Sequence, residues 1–220
     1  RFQGARPALY LVGAGDIGPP ISRGWHGDPV DVAIGSFRRD ETDFGAGVLS
    51  LERVIVSGGD SAGMFGAGWT STLDVAVVAD LEVEAAQVRL VGGEVISYVH
   101  DGSGWVADRL DAPLLVEVGS GWELTSRSGK VTSFGADGRI SGWSTPGSVD
   151  VSVFWSGAAD AEVVSGSAEM LVFDDVDDDG RVDEVSSSEG VAVTYSYDDD
   201  LLVGVSAPQV IGDTPTGGFT

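Results

Sequence analysis

Residues 170–185 read MLVFDDVDDDGRVDEV: an apolar run ending in an aromatic, an Asp/Gly-rich turn, then a second apolar run. The phrase recurs in looser form as VTSFGADGRI at 131–140, VSVFWSGAADAEVV at 151–164 and VAVTYSYDDDLLVGV at 191–205. Taking Phe134, Phe154, Phe173 and Tyr195 as its aromatic positions gives steps of 20, 19 and 22 residues. A period of this size marks stacked supersecondary units. About 20 residues make two strands of roughly six residues with their turns. An isolated hairpin is marginal in water, so each unit must bury its apolar face against neighbours. Asp-Gly tolerates the positive φ of tight turns, and the aromatic offers a large contact to the next unit. The expected fold is therefore all-β, with stacked hairpins forming a curved, repeat-based antiparallel sheet.

Working outward, the rest of the chain reads the same way. Short strand candidates lie at Val30–Ile34, Val48–Val56, Thr72–Val78, Glu94–His100, Leu114–Val118 and Trp122–Thr125. The best helical candidate, Asp80–Leu90, reads almost as well as an alternating strand. The spacing predicts a leader at 1–26, a β region at 27–130, the repeats at 131–206 and a flexible tail at 207–220. The first residues lack Met and a full signal-peptide pattern and read as a processed or trimmed end of something longer.

Composition narrows the function. With 12 basic and 35 acidic side chains the net charge is −23. That field repels phosphate backbones and anionic headgroups, which speaks against nucleic acid and membrane-surface binding. There is no Cys, so disulfides and thiolate metal sites are excluded. No apolar run approaches the ~18 residues of a membrane span.

One turn carries a candidate metal site. Asp175, Asp177, Asp179 and Asp183 fall at positions 1, 3, 5 and 9 of a loop with Gly180 at position 6. Such a string can wrap a hard cation in oxygens, the Arg181 carbonyl serving at position 7, although Ser186 stands where an EF-hand places its bidentate Glu. The competing reading is an acidic hairpin turn. Asp198–Asp200 reads as a solvated acidic turn.

Other motifs point to structure. Gly59-Asp-Ser61-Ala-Gly63 matches the nucleophile-elbow pattern, but no helix pattern follows Ser61 and the only downstream histidine is His100. A Gly-rich hairpin loop explains it better. His26 and His100 lack ligand spacing, so zinc is not expected. Five of the six Trp residues (25, 69, 105, 122, 143 and 155) directly follow Gly, which suits packing at hairpin turns better than a sugar platform. Carboxylates are abundant, but none is singled out as a glycosidase pair. No catalysis and no bound cofactor are expected, calcium at the acidic loop aside.

The repeat phrase resembles the YD-repeat of the Rhs family: tyrosine-aspartate, two residues, glycine-arginine, then a strand. Phe134-Gly-Ala-Asp-Gly138-Arg139-Ile140 fits with Phe for Tyr. Asp177-Asp-Asp-Gly180-Arg181-Val182 fits with extra residues after Phe173, and Tyr197-Asp198 through Val205 fits with the Gly lost. Upstream, GDPVDVAIGSFRRDETDF at 27–44 and FGAGWTSTLD at 65–74 resemble the opening segment of Rhs proteins. Ile34-Gly35 stands where the family usually has Thr-Gly, and Arg53–Ser57 where it has an Arg-Thr-Tyr phrase. The resemblance implies a β-sheet shell that encloses or displays a toxin or other cargo, secreted or at a bacterial cell surface. It implies partners in the form of other subunits or the remainder of a larger chain. Compared with the family, this chain is too short to close a shell and lacks the self-cleaving region and a toxin domain, so a fragment, an orphan module or one subunit of a larger wall is expected. The competing class is a calcium-stabilised extracellular adhesion or carbohydrate-binding β-domain.

Overall fold

The computed structural model describes residues 30–31, 36–46, 49–57 and 62–207. The leader, most of the tail, Ser61, Trp25 and His26 lie outside the described residues. The described chain is all-β, with twenty strands and one 3-10 turn at Thr72–Asp74.

The first strands are β1 (Val30–Asp31), β2 (Ser36–Ala46), β3 (Leu49–Val56), β4 (Ala62–Gly63), β5 (Gly66–Ala67) and β6 (Trp69–Ser71). β1, β2, β3 and β6 form a four-stranded sheet, and β4 pairs with β5. A second four-stranded sheet is a meander of β7 (Ala76–Asp80), β8 (Ala85–Arg89), β9 (Val95–His100) and β10 (Trp105–Ala107). The Asp80–Leu90 stretch is thus the end of β7, a turn and β8, not a helix. Thr72–Val78 is a strand only from Ala76. A capping box between Ser71 and Asp74 closes the 3-10 turn before it, satisfying backbone donors that a strand would have offered to a neighbour.

The third sheet has ten strands in sequence order, all antiparallel. They are β11 (Leu114–Val118), β12 (Gly121–Thr125), β13 (Val131–Phe134), β14 (Ile140–Ser144), β15 (Val151–Trp155), β16 (Ala161–Ser165), β17 (Met170–Asp174), β18 (Glu184–Ser187), β19 (Ala192–Asp198) and β20 (Leu201–Ser206). The expected repeats are its last eight strands. Strand alternation puts Trp122, Leu124, Phe134, Ile140, Val153, Val163, Phe173, Val185 and Tyr195 on one buried face. Each such side chain stabilises by about 1.5–3 kcal/mol when fully buried. That face belongs to one core with Leu49, Leu51, Met64, Phe65 and Leu73 of the N-terminal region.

One aromatic departs from the sequence reading. Phe154 is 58% exposed, on the outer face. Its neighbour Trp155 points inward and packs on the core. The period-two side-chain rule decides this: Val151 and Val153 are buried, so the next inward position is 155.

Candidate functional site

The inward shift at Trp155 reveals a repeat unlike the 20-residue phrase. Arg139 stacks on Trp155 with its guanidinium carbon 3.5 Å from the ring centroid. It donates to the carbonyls of Gly157 at 2.8 Å and Ala158 at 2.5 Å, while the Trp155 indole N–H donates to Ile140 C=O at 2.7 Å. Add 42 to each number and the arrangement recurs. Arg181 lies 5.0 Å from the Tyr197 centroid and donates to Asp199 C=O, and the Tyr197 hydroxyl donates to Val182 C=O at 2.7 Å. The unit is therefore two hairpins. In each unit the Arg after a positive-φ glycine, Gly138 or Gly180, ties the turn of the first hairpin to the turn of the second. A guanidinium fork is well shaped for such a tie, because it stacks on an aromatic and reaches two acceptors at once.

The N-terminal region runs across these same turns. Val77 N–H donates to Gly138 C=O, Val182 N–H to Met64 C=O, and Ala67 N–H to Asp200 C=O, at 2.9, 2.8 and 2.7 Å. Gly138 is required where it stands, because its φ is +78° and a Cβ would run into the Val77 carbonyl. Between the 3-10 turn and the sheet lies a cleft of about 390 Å³ whose lining includes Asp74, Arg139, Trp155, Asp179, Arg181 and Asp200. Asp74 is half-buried, and the desolvation of its carboxyl raises it above the usual range against hydrogen bonds from Met64 N–H, Ser71 N–H and the Ser71 hydroxyl. These contacts make Asp74 a support for the turn.

A buried ion pair on β2 and β3 is tied by a hydrogen bond to β19 of the ten-stranded sheet. Arg53, on β3, pairs with Asp43 on β2, and the Tyr195 hydroxyl on β19 donates to the same Asp43 carboxylate at 2.9 Å. The Arg53 guanidinium is surrounded by the rings of Trp69, Tyr195 and Phe65, with centroids 4.5, 5.2 and 5.4 Å away. Burial works against its charge, but Asp43 outweighs burial and raises the Arg53 pKa.

In the acidic loop, carboxylate oxygens of Asp175, Asp177 and Asp183 lie within 4.8 Å of one another. Asp179 stands apart, paired with the Arg181 guanidinium. The loop also satisfies itself: Asp175 accepts from Asp179 N–H at 3.0 Å and Gly180 N–H at 2.8 Å, and Asp183 from Val176 N–H at 2.8 Å. Of the five positions read as ligands, the structure gathers three side chains. The Asp198–Asp200 turn is exposed at Asp200, yet its backbone receives both Arg181 and Ala67.

The remaining motifs are built into turns and core. His100 accepts from Gly102 N–H through Nδ1 at 3.2 Å and sits edge-on to Trp105. Trp105 meets Trp122 with centroids 5.2 Å apart, and its indole donates to Glu117. Trp143 lies under Lys130, the chain's single lysine, whose amine burial pushes to a lower pKa. The 20-residue phrase contains both arginines, but no copy holds an arginine together with its aromatic partner, because its period pairs each turn with the wrong aromatic. The signal that finds them is the pair of Gly-Arg dipeptides at 138–139 and 180–181, each followed 16 residues after its Arg by an aromatic.

Residues 27–98 match a family described as Domain of unknown function (DUF6531). That span takes in the first sheet, the β4–β6 segment and most of the second sheet. No curated protein matches the chain. Among the described residues, no helix is long and apolar enough to cross a membrane, which leaves strand-based spans unaddressed.

Proposed function

We propose that this chain is a non-catalytic wall segment of Rhs/YD-repeat type, which with other subunits or the rest of a larger chain encloses or displays a toxin or other cargo. The observation that carries the reading is the ten-stranded sequential sheet built on a 42-residue unit with arginine-tied turns. Such a sheet grows by adding units without changing its cross-section, which suits a wall. The Gly-Arg turns that make the ties are the residues of the YD-repeat resemblance, and the matched segment at 27–98 overlaps the Rhs-like opening segment. The proposed setting is secreted or at a bacterial cell surface, and the acidic surface favours solubility there.

Limited proteolysis of the natural gene product tests this. The expected result is a β-rich wall that resists protease together with an associated polypeptide that is digested only after the wall is unfolded. Digestion of every associated segment at the rate of the free segment would overturn the reading.

A second reading, a calcium-stabilised adhesion or carbohydrate-binding β-domain, draws on the convergence of Asp175, Asp177 and Asp183. Three carboxylates so close repel one another, and a divalent cation would relieve that repulsion.

A further inference from the structure

The second sheet ends on β7, and part of that edge is open. β7 pairs in its sheet with β8 alone. Val77 N–H points the other way, to Gly138 C=O at 2.9 Å, so the Val77–Val88 pair exchanges no hydrogen bonds. Hydrogen-bonded and non-bonded pairs alternate in an antiparallel ladder, and the next non-bonded pair is Ala79–Ala86. The N–H and C=O of Ala79 therefore also point away from β8. Among the described residues no hydrogen bond reaches them there, and Ala79 is exposed. Described residues lie on both sides of this opening.

Beside Ala79 is a cleft of about 400 Å³ between β7, the β11–β12 turn and the β13–β14 turn. Its lining includes the buried Val77 and Trp122, and Val78 and Leu81, which are 62 and 64% exposed. Glu117 and Asp137 supply its charge, and among the described residues no Lys or Arg lines it. The Arg139 guanidinium, near in sequence, is committed to Trp155 and the carbonyls of Gly157 and Ala158. Glu117 accepts the Trp105 indole N–H through Oε1, and Asp137 accepts Arg139 N–H through Oδ1. The second oxygen of each carboxylate carries no hydrogen bond among the described residues.

Strand geometry fixes where an occupant's side chains go. Ala79 shares a face with Val77, and Glu117 shares one with its ladder partner Trp122. A residue opposite Ala79 sends its side chain to the Ala79 face, into the cleft, and its two neighbours send theirs to the other face, beside Val78. Arginine suits the first position, with an aliphatic stem for the apolar walls and a planar fork of donors for the carboxylates.

We propose that the β7 edge and this cleft bind a short extended segment of a separate, basic protein, with an arginine opposite Ala79 and an apolar residue on each side of it. Backbone hydrogen bonds to Ala79 supply affinity, and the buried arginine supplies selection. Charge favours a separate protein over a second copy of this chain, because two bodies of charge −23 repel. The proposal goes beyond the wall reading and does not depend on it.

The test uses the full chain and a fluorescent, end-capped peptide Ser-Val-Arg-Val-Ser. The expected result is saturable one-to-one binding with new amide-exchange protection at Ala79. Binding should weaken at least tenfold when citrulline replaces the arginine, and equally in the reordered peptide Arg-Ser-Val-Val-Ser, which keeps the charge. It should also weaken at least tenfold in Glu117→Gln/Asp137→Asn, whose amides can still accept from Trp105 and Arg139. Ala79→Pro should abolish binding with an unfolding midpoint near that of the parent, since the lost N–H serves no ladder bond. Absence of saturable binding, equal binding of the citrulline or reordered peptide, equal binding by either variant, or protection confined to other strands would each overturn the proposal. Self-association that excludes the peptide would overturn it in favour of a second copy.

Discussion

The Arg139 guanidinium lies 3.5 Å from the centroid of the Trp155 ring, and its two terminal nitrogens hold the carbonyls of Gly157 and Ala158. One side chain thereby fixes the turn between β15 and β16 relative to the turn that carries the arginine. Arg181 does the same for the last hairpin, reaching Asp199 C=O and the Asp200 carboxylate. Arg139→Ala is expected to cost about 1–3 kcal/mol, combining a partly desolvated cation–π contact with charged hydrogen bonds. Lys should recover only part of this, since an ammonium cannot stack and reach two carbonyls together. Urea unfolding would measure both variants. With Arg181→Ala added, the two losses should sum to within about 0.5 kcal/mol, because the sites share no partner.

The Asp43–Arg53–Tyr195 cluster gives a sharper contrast. Arg53 is 2% exposed. Removing either charge strands the other in an apolar setting, so Asp43→Asn or Arg53→Met alone is expected to cost about 3–5 kcal/mol. The double variant Asp43→Leu/Arg53→Met should recover much of that loss, since no buried charge remains. Tyr195→Phe removes one hydrogen bond to Asp43 and is expected to cost about 1–3 kcal/mol. A double-mutant cycle on unfolding free energies would give the coupling; additive losses would show that the pair is not coupled.

Strand content is legible in the sequence because alternation survives without tertiary information. Leu114–Val118 matches its strand to the residue, and β3, β9 and β12 match to within one. Phe154 misleads because a strand ending in two aromatics offers two registers, and only the burial of Val151 and Val153 chooses between them. The acidic loop is half legible: spacing brings Asp175, Asp177 and Asp183 together, but it cannot show that Asp179 is held by Arg181. Least legible is the closure of the chain. Asp43 and Tyr195 are 152 residues apart, and no local pattern records which face of one sheet covers another.

Under the calcium reading, added calcium should raise the melting temperature and a chelator should reverse the rise. At a free concentration 100 times Kd the gain would be about 2.7 kcal/mol. Asp183→Asn should abolish the calcium-dependent part and leave the chelator-treated melting temperature close to that of the parent. Thermal scans with identical midpoints in calcium and in chelator would remove this reading.

Glycine at 138 should prove far less replaceable than glycine at 190. Both have strongly positive φ, +78° and +80°, so alanine at either site carries a left-handed penalty of roughly 1–2 kcal/mol. At Gly190 the added Cβ meets open space, whereas at Gly138 it collides with the Val77 backbone carbonyl. Gly138→Ala is therefore expected to destabilise by more than Gly190→Ala and to loosen the Val77–Gly138 hydrogen bond. Faster amide exchange at Val77 in Gly138→Ala alone would confirm the second effect; equal unfolding midpoints for the two variants would refute the collision.

Alkaline titration should report the core directly. Burial pushes the Tyr98 phenol up to about 12, and burial, aided by the Asp43 charge, raises Tyr195 further. Tyr197 is raised chiefly by burial, with Asp183 adding to it. In the unfolded chain each phenol ionises near its ordinary value of roughly 10. Because the folded values are higher, the stability these groups contribute is complete below pH 10. It is lost as pH climbs through about 12 for Tyr98 and above that for the other two. Absorbance at the phenolate band should therefore lag behind that of urea-unfolded chain between those limits, for three of the chain's four tyrosines. The late ionisation should coincide with loss of near-ultraviolet circular dichroism, since phenolates cannot form in place while Tyr98 donates to Pro113 C=O and Tyr195 to Asp43. Ionisation of all phenols near pH 10 with the dichroism intact would contradict the burial of this face of the sheet.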